Sequence, residues 1–143
     1  MQDGYAYWGH VGDSRIHHLR NETVVERSRD HSHVEVLLQE GFITEDEIST
    51  HPMRNFVECC LGGDSALPAM TITRYKRLLP DDVLLACSDG FWSGLTDPEM
   101  ASITVAKGPL APQLSALGAQ ALKTTSPHSD NTSAAALRFI GQA

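Results

Sequence analysis

With 143 residues, the chain is long enough for one domain with a core and too short to suggest two. Its formal net charge is -7, and its basic residues are scattered rather than gathered in a stripe, which argues against nucleic acid as the main partner and is compatible with cations. No apolar run reaches the roughly 20 residues that span a bilayer, residues 1–4 lack the regions of a signal peptide, and three cysteines imply no disulfide framework; the reading is cytoplasmic, without membrane, with reduced thiols.

In chain order, residues 5–11 alternate aromatic and apolar side chains, and Gly12-Asp13-Ser14 turns the chain into Arg15-Ile16-His17-His18-Leu19, which predicts a β-hairpin. A second turn at Asn21-Glu22-Thr23 leads into Val24-Val25-Glu26. The first quarter therefore reads as an antiparallel meander whose first strand lies at an edge. Ser32 with Glu35 forms a capping box, and Val34, Leu37 and Leu38 recur at helical spacing up to Gly41. Thr44 with Glu47 repeats the pattern for a second, mostly polar helix that His51-Pro52 should stop. Residues 56–61 then read as a strand running into Gly62-Gly63, and residues 70–75 alternate as another.

Leu79-Pro80-Asp81-Asp82 signals a turn, and the apolar run that follows within residues 83–92 is expected to be a strand buried on both faces. Ser88-Asp89-Gly90 then puts a carboxylate at the mouth of that strand, where the glycine lets the chain turn sharply and an ion come close. The placement suits a metal ligand, and equally a turn cap. Thr96-Asp97-Pro98-Glu99 supplies an N-cap and a first-turn proline for a short helix. Leu110, Leu114, Leu117, Ala121 and Leu122 sit at the spacing of a longer helix ending near Lys123. Residues 126–131 form a polar loop before an alanine-rich final strand over 132–140.

Asp13, Asp89 and Asp130 share one setting: each lies beside a small residue, at the end of a predicted strand or just outside it. Three such carboxylates could converge on a hard cation, because Mg²⁺ and Mn²⁺ take carboxylate and water oxygens in near-octahedral array. A catalytic thiol would need an arginine in the residues after it, and no cysteine has one, so Cys59, Cys60 and Cys87 are expected as buried structural residues of apolar strands. The seven histidines sit in no zinc-type pattern, and His17 and His18 point to opposite faces of one strand; surface or hydrogen-bonded roles are expected.

The strings HVGDSRIHHLR, RDHSHVEVLLQEGFIT, HPMRNFVECCLGG, LLACSDGFW and SDNTSAAALRF follow the order and spacing of the bacterial PPM, or type 2C, metal-dependent protein serine/threonine phosphatases, and the chain resembles that family over nearly its whole length. The resemblance implies an α+β fold, a portion of an α-β-β-α four-layer sandwich with two antiparallel sheets. It also implies a binuclear Mg²⁺ or Mn²⁺ centre. Asp89 and Asp130 correspond to metal ligands, Asp13 helps hold a third ion together with Asp89, and Asn55 approaches that ion from a flap over residues 31–63. Gly90 and Asn131 support the metal loop. No side chain of this sequence is assigned as nucleophile, because a water activated between two metals attacks phosphorus. The implied substrate is a phosphoserine or phosphothreonine protein, with a cognate Ser/Thr kinase as a further partner.

The family carries, ahead of GDSR, a segment with a phosphate-binding arginine, a glutamate-aspartate pair and a DGMGGH-like motif whose aspartate bridges both metals. None of these lies in the sequence, and Asp3-Gly4 lacks the Met-Gly-Gly-His that would follow. The chain is therefore expected to be the C-terminal part of a single phosphatase domain, inactive alone, with open sheet edges and exposed apolar faces. A non-catalytic phosphatase-like interaction module is the alternative function. Arg15 reads as structural, since the phosphate clamp belongs to the segment ahead of it.

Overall fold

The computed structural model describes residues 1–141 except Ser49, residues 63–67 and Ala106, with Tyr75 described by its backbone alone. Its strands are β1 (Tyr5–His10), β2 (Arg15–Arg20), β3 (Thr23–Arg27), β4 (Thr71–Arg77), β5 (Val83–Cys87) and β6 (Ala134–Arg138). They form two antiparallel sheets, one of order β1-β4 and one of order β3-β2-β5-β6. With its helices this is the α+β architecture expected. No helix among the described residues is long and apolar enough to cross a membrane.

The four-stranded sheet carries the core. Its register sets Arg15 opposite Cys87, His17 opposite Leu85 and Leu19 opposite Val83, so the two-residue period turns His17, Leu19, Val83, Leu85 and Cys87 to one face. Three helices supply the residues packed with that face: α3 (Asp89–Trp92), α4 (Asp97–Ala101) and α5 (Leu110–Thr125). They and their connections bring Phe91, Leu95, Met100, Ala101, Ile103, Leu117 and Ala121 into the cluster. Each large apolar side chain enclosed there stabilises the fold by roughly 1.5–3 kcal/mol relative to exposure. Thr96 caps α4 with both halves of its box, and Pro98 occupies the first turn. Leu110, Leu114, Leu117 and Ala121 face the core as their spacing requires, whereas Leu122 is exposed.

Several expectations give way. Strand β5 is not buried on both faces: Leu84 is half-buried and Ala86 exposed, because helices cover only the other face. Strands β1 and β2 are not a hairpin. Gly12, at φ +94°, carries the chain from one sheet to the other, and the linker is tied elsewhere: His31 donates its amide to the Gly12 carbonyl (2.9 Å), and its Nδ1 accepts the Gly12 amide (3.3 Å). Residues 56–61 form no strand. Only Val57 bridges to Ser32, and the ladder stops because Ser32 already caps α1 (His33–Gln39). Cys59 and Cys60 consequently lie outside any strand, and Cys60 is exposed. Burial pushes the Cys87 thiol up to about 12, which keeps it inert.

In α1 the Ser32 hydroxyl accepts the Glu35 amide (3.4 Å), but the Glu35 carboxylate turns to Gln39 and Arg29 rather than back to Ser32. Gly41, at φ +76°, follows the end of the helix as anticipated. Glu47 accepts both the amide and the hydroxyl of Thr44 at the start of the four-residue α2 (Glu45–Ile48).

Of the surface or hydrogen-bonded roles expected for the histidines, the buried His18 takes the second. His18 shares the carboxylate of Asp82 (2.8 Å) with the fork of Arg20 (2.7 Å to each oxygen) and the Leu79 amide (2.8 Å). Burial alone would raise the Asp82 pKa, but Arg20, Leu79 and His18 together hold it below the usual carboxylate range. Arg20 also reaches the Arg77 carbonyl, and Lys76 pairs with Glu26, so polar contacts join β4 to β2 and β3.

Candidate metal centre

The antiparallel register decides where the aspartates meet. Asp13 precedes β2, Asp89 follows β5 and Asp130 precedes β6; Arg15, Cys87 and Ala134 are paired, so all three carboxylates emerge at the same end of the sheet. A cavity of about 440 Å³ opens there, lined by Asp13, Asp89 and Asp130, by Asn55 and Arg54 from the excursion over residues 31–63, and by Asp30, Trp92 and His128.

The loops carrying Asp89 and Asp130 are stitched together. Ser88 donates its amide to the Ser133 carbonyl (2.9 Å); its hydroxyl donates to the Asn131 carbonyl (3.1 Å) and accepts the Ser133 amide (3.0 Å). Thr132 donates its hydroxyl to the Gly90 carbonyl (3.2 Å). The main chain of residues 130–131 passes so close to Gly90 that no side chain fits there. Gly90 is thus required by a neighbouring backbone, not by a left-handed turn or a bare approach for an ion.

Asp89 Oδ1 accepts the Gly90 amide (2.8 Å) and Asp130 Oδ1 accepts the Asn131 amide (2.6 Å). Turn cap and metal ligand are therefore compatible roles: one oxygen orients each carboxylate, and the second takes no part in the turn. Asp13 is held above its ordinary pKa first by burial and then by the negative charge of Asp89, while a hydrogen bond to its own backbone pulls the other way. A cation among these oxygens would relieve that repulsion.

Sequence reasoning missed Asp30, Arg54 and His128. Arg15 donates Nε and Nη2 to the two oxygens of Asp30 (2.8 and 2.7 Å), so that carboxylate is already neutralised, and the structural reading of Arg15 accords with this pairing. The partners are 15 residues apart at the open end of the β2–β3 hairpin, where Asp30 lies beyond the paired residues and only the folded path brings it onto Arg15.

Asp13, Asp89, Asp130 and Asn55 offer carboxylate and amide oxygens, which fit a hard cation such as Mg²⁺ or Mn²⁺; His128 adds an imidazole to the lining, and no thiol lines the cavity among the described residues. Among the described residues no three His, Cys, Asp or Glu side chains are close enough together to hold an ion by themselves. An ion here would complete its shell with water, which Mg²⁺ readily retains, or with further groups.

Solved structures share this architecture. A serine/threonine phosphatase of S. agalactiae superposes on 99% of the chain with a TM-score of 0.82 at 25% identity, and Stp1 from Staphylococcus aureus on 99% with a TM-score of 0.81 at 30% identity. The chain belongs to the PPM, or type 2C, serine/threonine phosphatase family. Among curated proteins it is similar to protein phosphatase PhpP of Streptococcus pneumoniae, 33% identical over 109 residues that cover 76% of the chain. It is also similar to the phosphatase PstP of Mycobacterium tuberculosis, 35% identical over 89 residues. No family model matches the chain. The chain spans 44% of PhpP, 16% of PstP, and 56% and 54% of the two superposed structures.

Proposed function

We propose that the chain supplies Asp13, Asp89 and Asp130 to the metal site of a protein serine/threonine phosphatase, as the C-terminal part of a single PPM-type domain. The observation that carries this reading is the convergence of these three carboxylates on one cavity at one end of the sheet. Asp89 and Asp130 would hold Mg²⁺ or Mn²⁺, Asp13 would share a further ion with Asp89, and Asn55 would reach it from residues 31–63 acting as a flap. A solved structure of the related PstP catalytic domain is in complex with two manganese ions, which supports the choice of metal. When bound, the ions supply Lewis acidity and lower the pKa of water toward neutrality.

The chain's own residues orient and shield. The amides of Gly90 and Asn131 fix the carboxylates, Trp92 walls the cavity, and Arg54 brings to its rim a cation of the sign a phosphate group requires. No residue here is assigned as nucleophile. The substrate is a phosphoserine or phosphothreonine protein, and a cognate Ser/Thr kinase would generate it.

The sequence contains no counterpart of the family's metal-bridging aspartate, and the 143 residues alone are expected to release little phosphate. The test is Mn²⁺-dependent hydrolysis of a phosphothreonine peptide, by the chain alone and by the chain joined to the N-terminal segment of a PPM relative. Activity in the joined protein that disappears on Asp89→Ala supports the reading. Inactivity of the joined protein favours the non-catalytic interaction module.

A further inference from the structure

We propose that Trp92, Arg15 and Asp30 form a relay that sets the spacing of Asp13 and Asp89 and ties it to the root of the flap. The proposal rests on the metal-site reading above. Trp92 stands three residues after Asp89 on the single-turn α3, which begins with that aspartate. Its indole Nε1 donates to the carbonyl of Asp13 (3.0 Å), so one side chain connects the element that carries one aspartate to the backbone of the other.

The indole is itself clamped. The Arg15 guanidinium lies 3.4 Å above its ring, a cation-π contact made in partly desolvated surroundings. Arg15 is in turn held flat by the two-pronged pairing with Asp30, whose side chain is 93% buried. Asp30 immediately precedes His31, where the excursion over residues 31–63 starts and where the amide and ring of His31 grip Gly12, the neighbour of Asp13. A tilt of the excursion's first residues therefore moves Asp30, swings Arg15, and shifts the indole that spaces the two aspartates.

None of the three side chains is a ligand in this account. They are positioning residues of the kind whose loss weakens metal binding about tenfold or more while leaving every ligand in place. Trp92→Phe keeps a ring beneath Arg15 and removes only the N–H. Arg15→Lys keeps the charge and removes both the fork and the planar stack.

The experiment is a Mn²⁺ titration of the 143-residue chain, followed by loss of the free-ion paramagnetic resonance signal, with the unfolding midpoint of each variant measured in parallel. Thr96→Ala, which unpins α4 without touching the relay, is the control for general destabilisation. The expected result is Mn²⁺ binding that Asp89→Ala abolishes, that Trp92→Phe and Arg15→Lys each weaken by about tenfold, and that Thr96→Ala leaves unchanged. Equal affinity of the wild type, Trp92→Phe and Arg15→Lys would overturn the relay and leave the metal site standing. So would a Thr96→Ala variant as weak as the other two. Wild-type binding that survives Asp89→Ala, or no wild-type binding, would overturn the site itself and the relay with it.

Discussion

A β-carbon on Gly90 would lie 2.6 Å from the carbonyl oxygen of Asn131, closer than any real side chain tolerates. The nearest atoms are main chain on a loop stitched at both ends, so nothing flexible can yield. Gly90→Ala is expected to force the loops of Asp89 and Asp130 apart, at a cost of about 1–3 kcal/mol in urea unfolding, and to weaken Mn²⁺ binding in a calorimetric titration. Gly108→Ala, where the added carbon meets nothing within 4 Å, should change neither.

His17 makes the chain sensitive to acid. It is fully buried, its Nδ1 is 3.9 Å from the Cys87 sulfur, and its Nε2 has no hydrogen-bond partner among the described residues. Burial first, and then the charge of Arg15, push its pKa down to about 4. The unfolded chain takes up this proton near 6.5 and the folded chain only near 4, so this contribution is complete above about pH 6.5 and is lost as pH falls toward 4. The loss at pH 4.5 should be roughly 2–3 kcal/mol. Urea unfolding of wild type and His17→Leu at pH 7.5 and 4.5 measures it, and the variant should show the smaller pH dependence.

Asp82→Asn is expected to destabilise by about 3 kcal/mol or more in the same assay, because it strips the charge from a buried carboxylate that Arg20, His18 and Leu79 all address. The Asp82 pKa is held down when folded, so the stability it contributes is present above the ordinary carboxylate range and is lost as pH falls through the folded value. The wild type and Asp82→Asn should therefore converge in stability as acid is added.

Thr96→Ala removes the acceptor that caps α4 and should cost about 1 kcal/mol, read as a lower thermal midpoint with the Mn²⁺ isotherm unchanged.

What the sequence made legible were the features whose cause is local. The box of Thr96 and Glu99, the stripe from Leu110 to Ala121 and the apolar run within 83–87 each contain their own reason, and each element formed, although the run is buried on one face only. The turn at Gly12-Asp13-Ser14 looked equally local, yet its outcome was decided by His31, which holds Gly12 and sends β1 to β4 instead of β2. The apolar stretch around Cys59 and Cys60 had strand-like composition but met a helix cap at Ser32 where a partner strand would have been needed. The same distinction runs through the candidate site. Asp13, Asp89 and Asp130 could be singled out because each sits at the end of a strand, whereas Asp30 matters through a pairing with Arg15 that only the folded path creates. The fit of Gly90 against Asn131 was likewise invisible, since it joins residues 41 positions apart.

The stitch between Ser88 and Ser133 also fixes an order of events during synthesis. Asp89 and its short helix are synthesised about 40 residues before β6, the strand that pairs with β5. Contacts this distant in sequence form late, after the local turns and the β2–β3 hairpin. A chain ending before Ser133 would hold Asp13 and Asp89 without the loop stitch that sets Asp130 at the same cavity, so on the metal-site reading proposed above it should bind Mn²⁺ more weakly than the 143-residue chain.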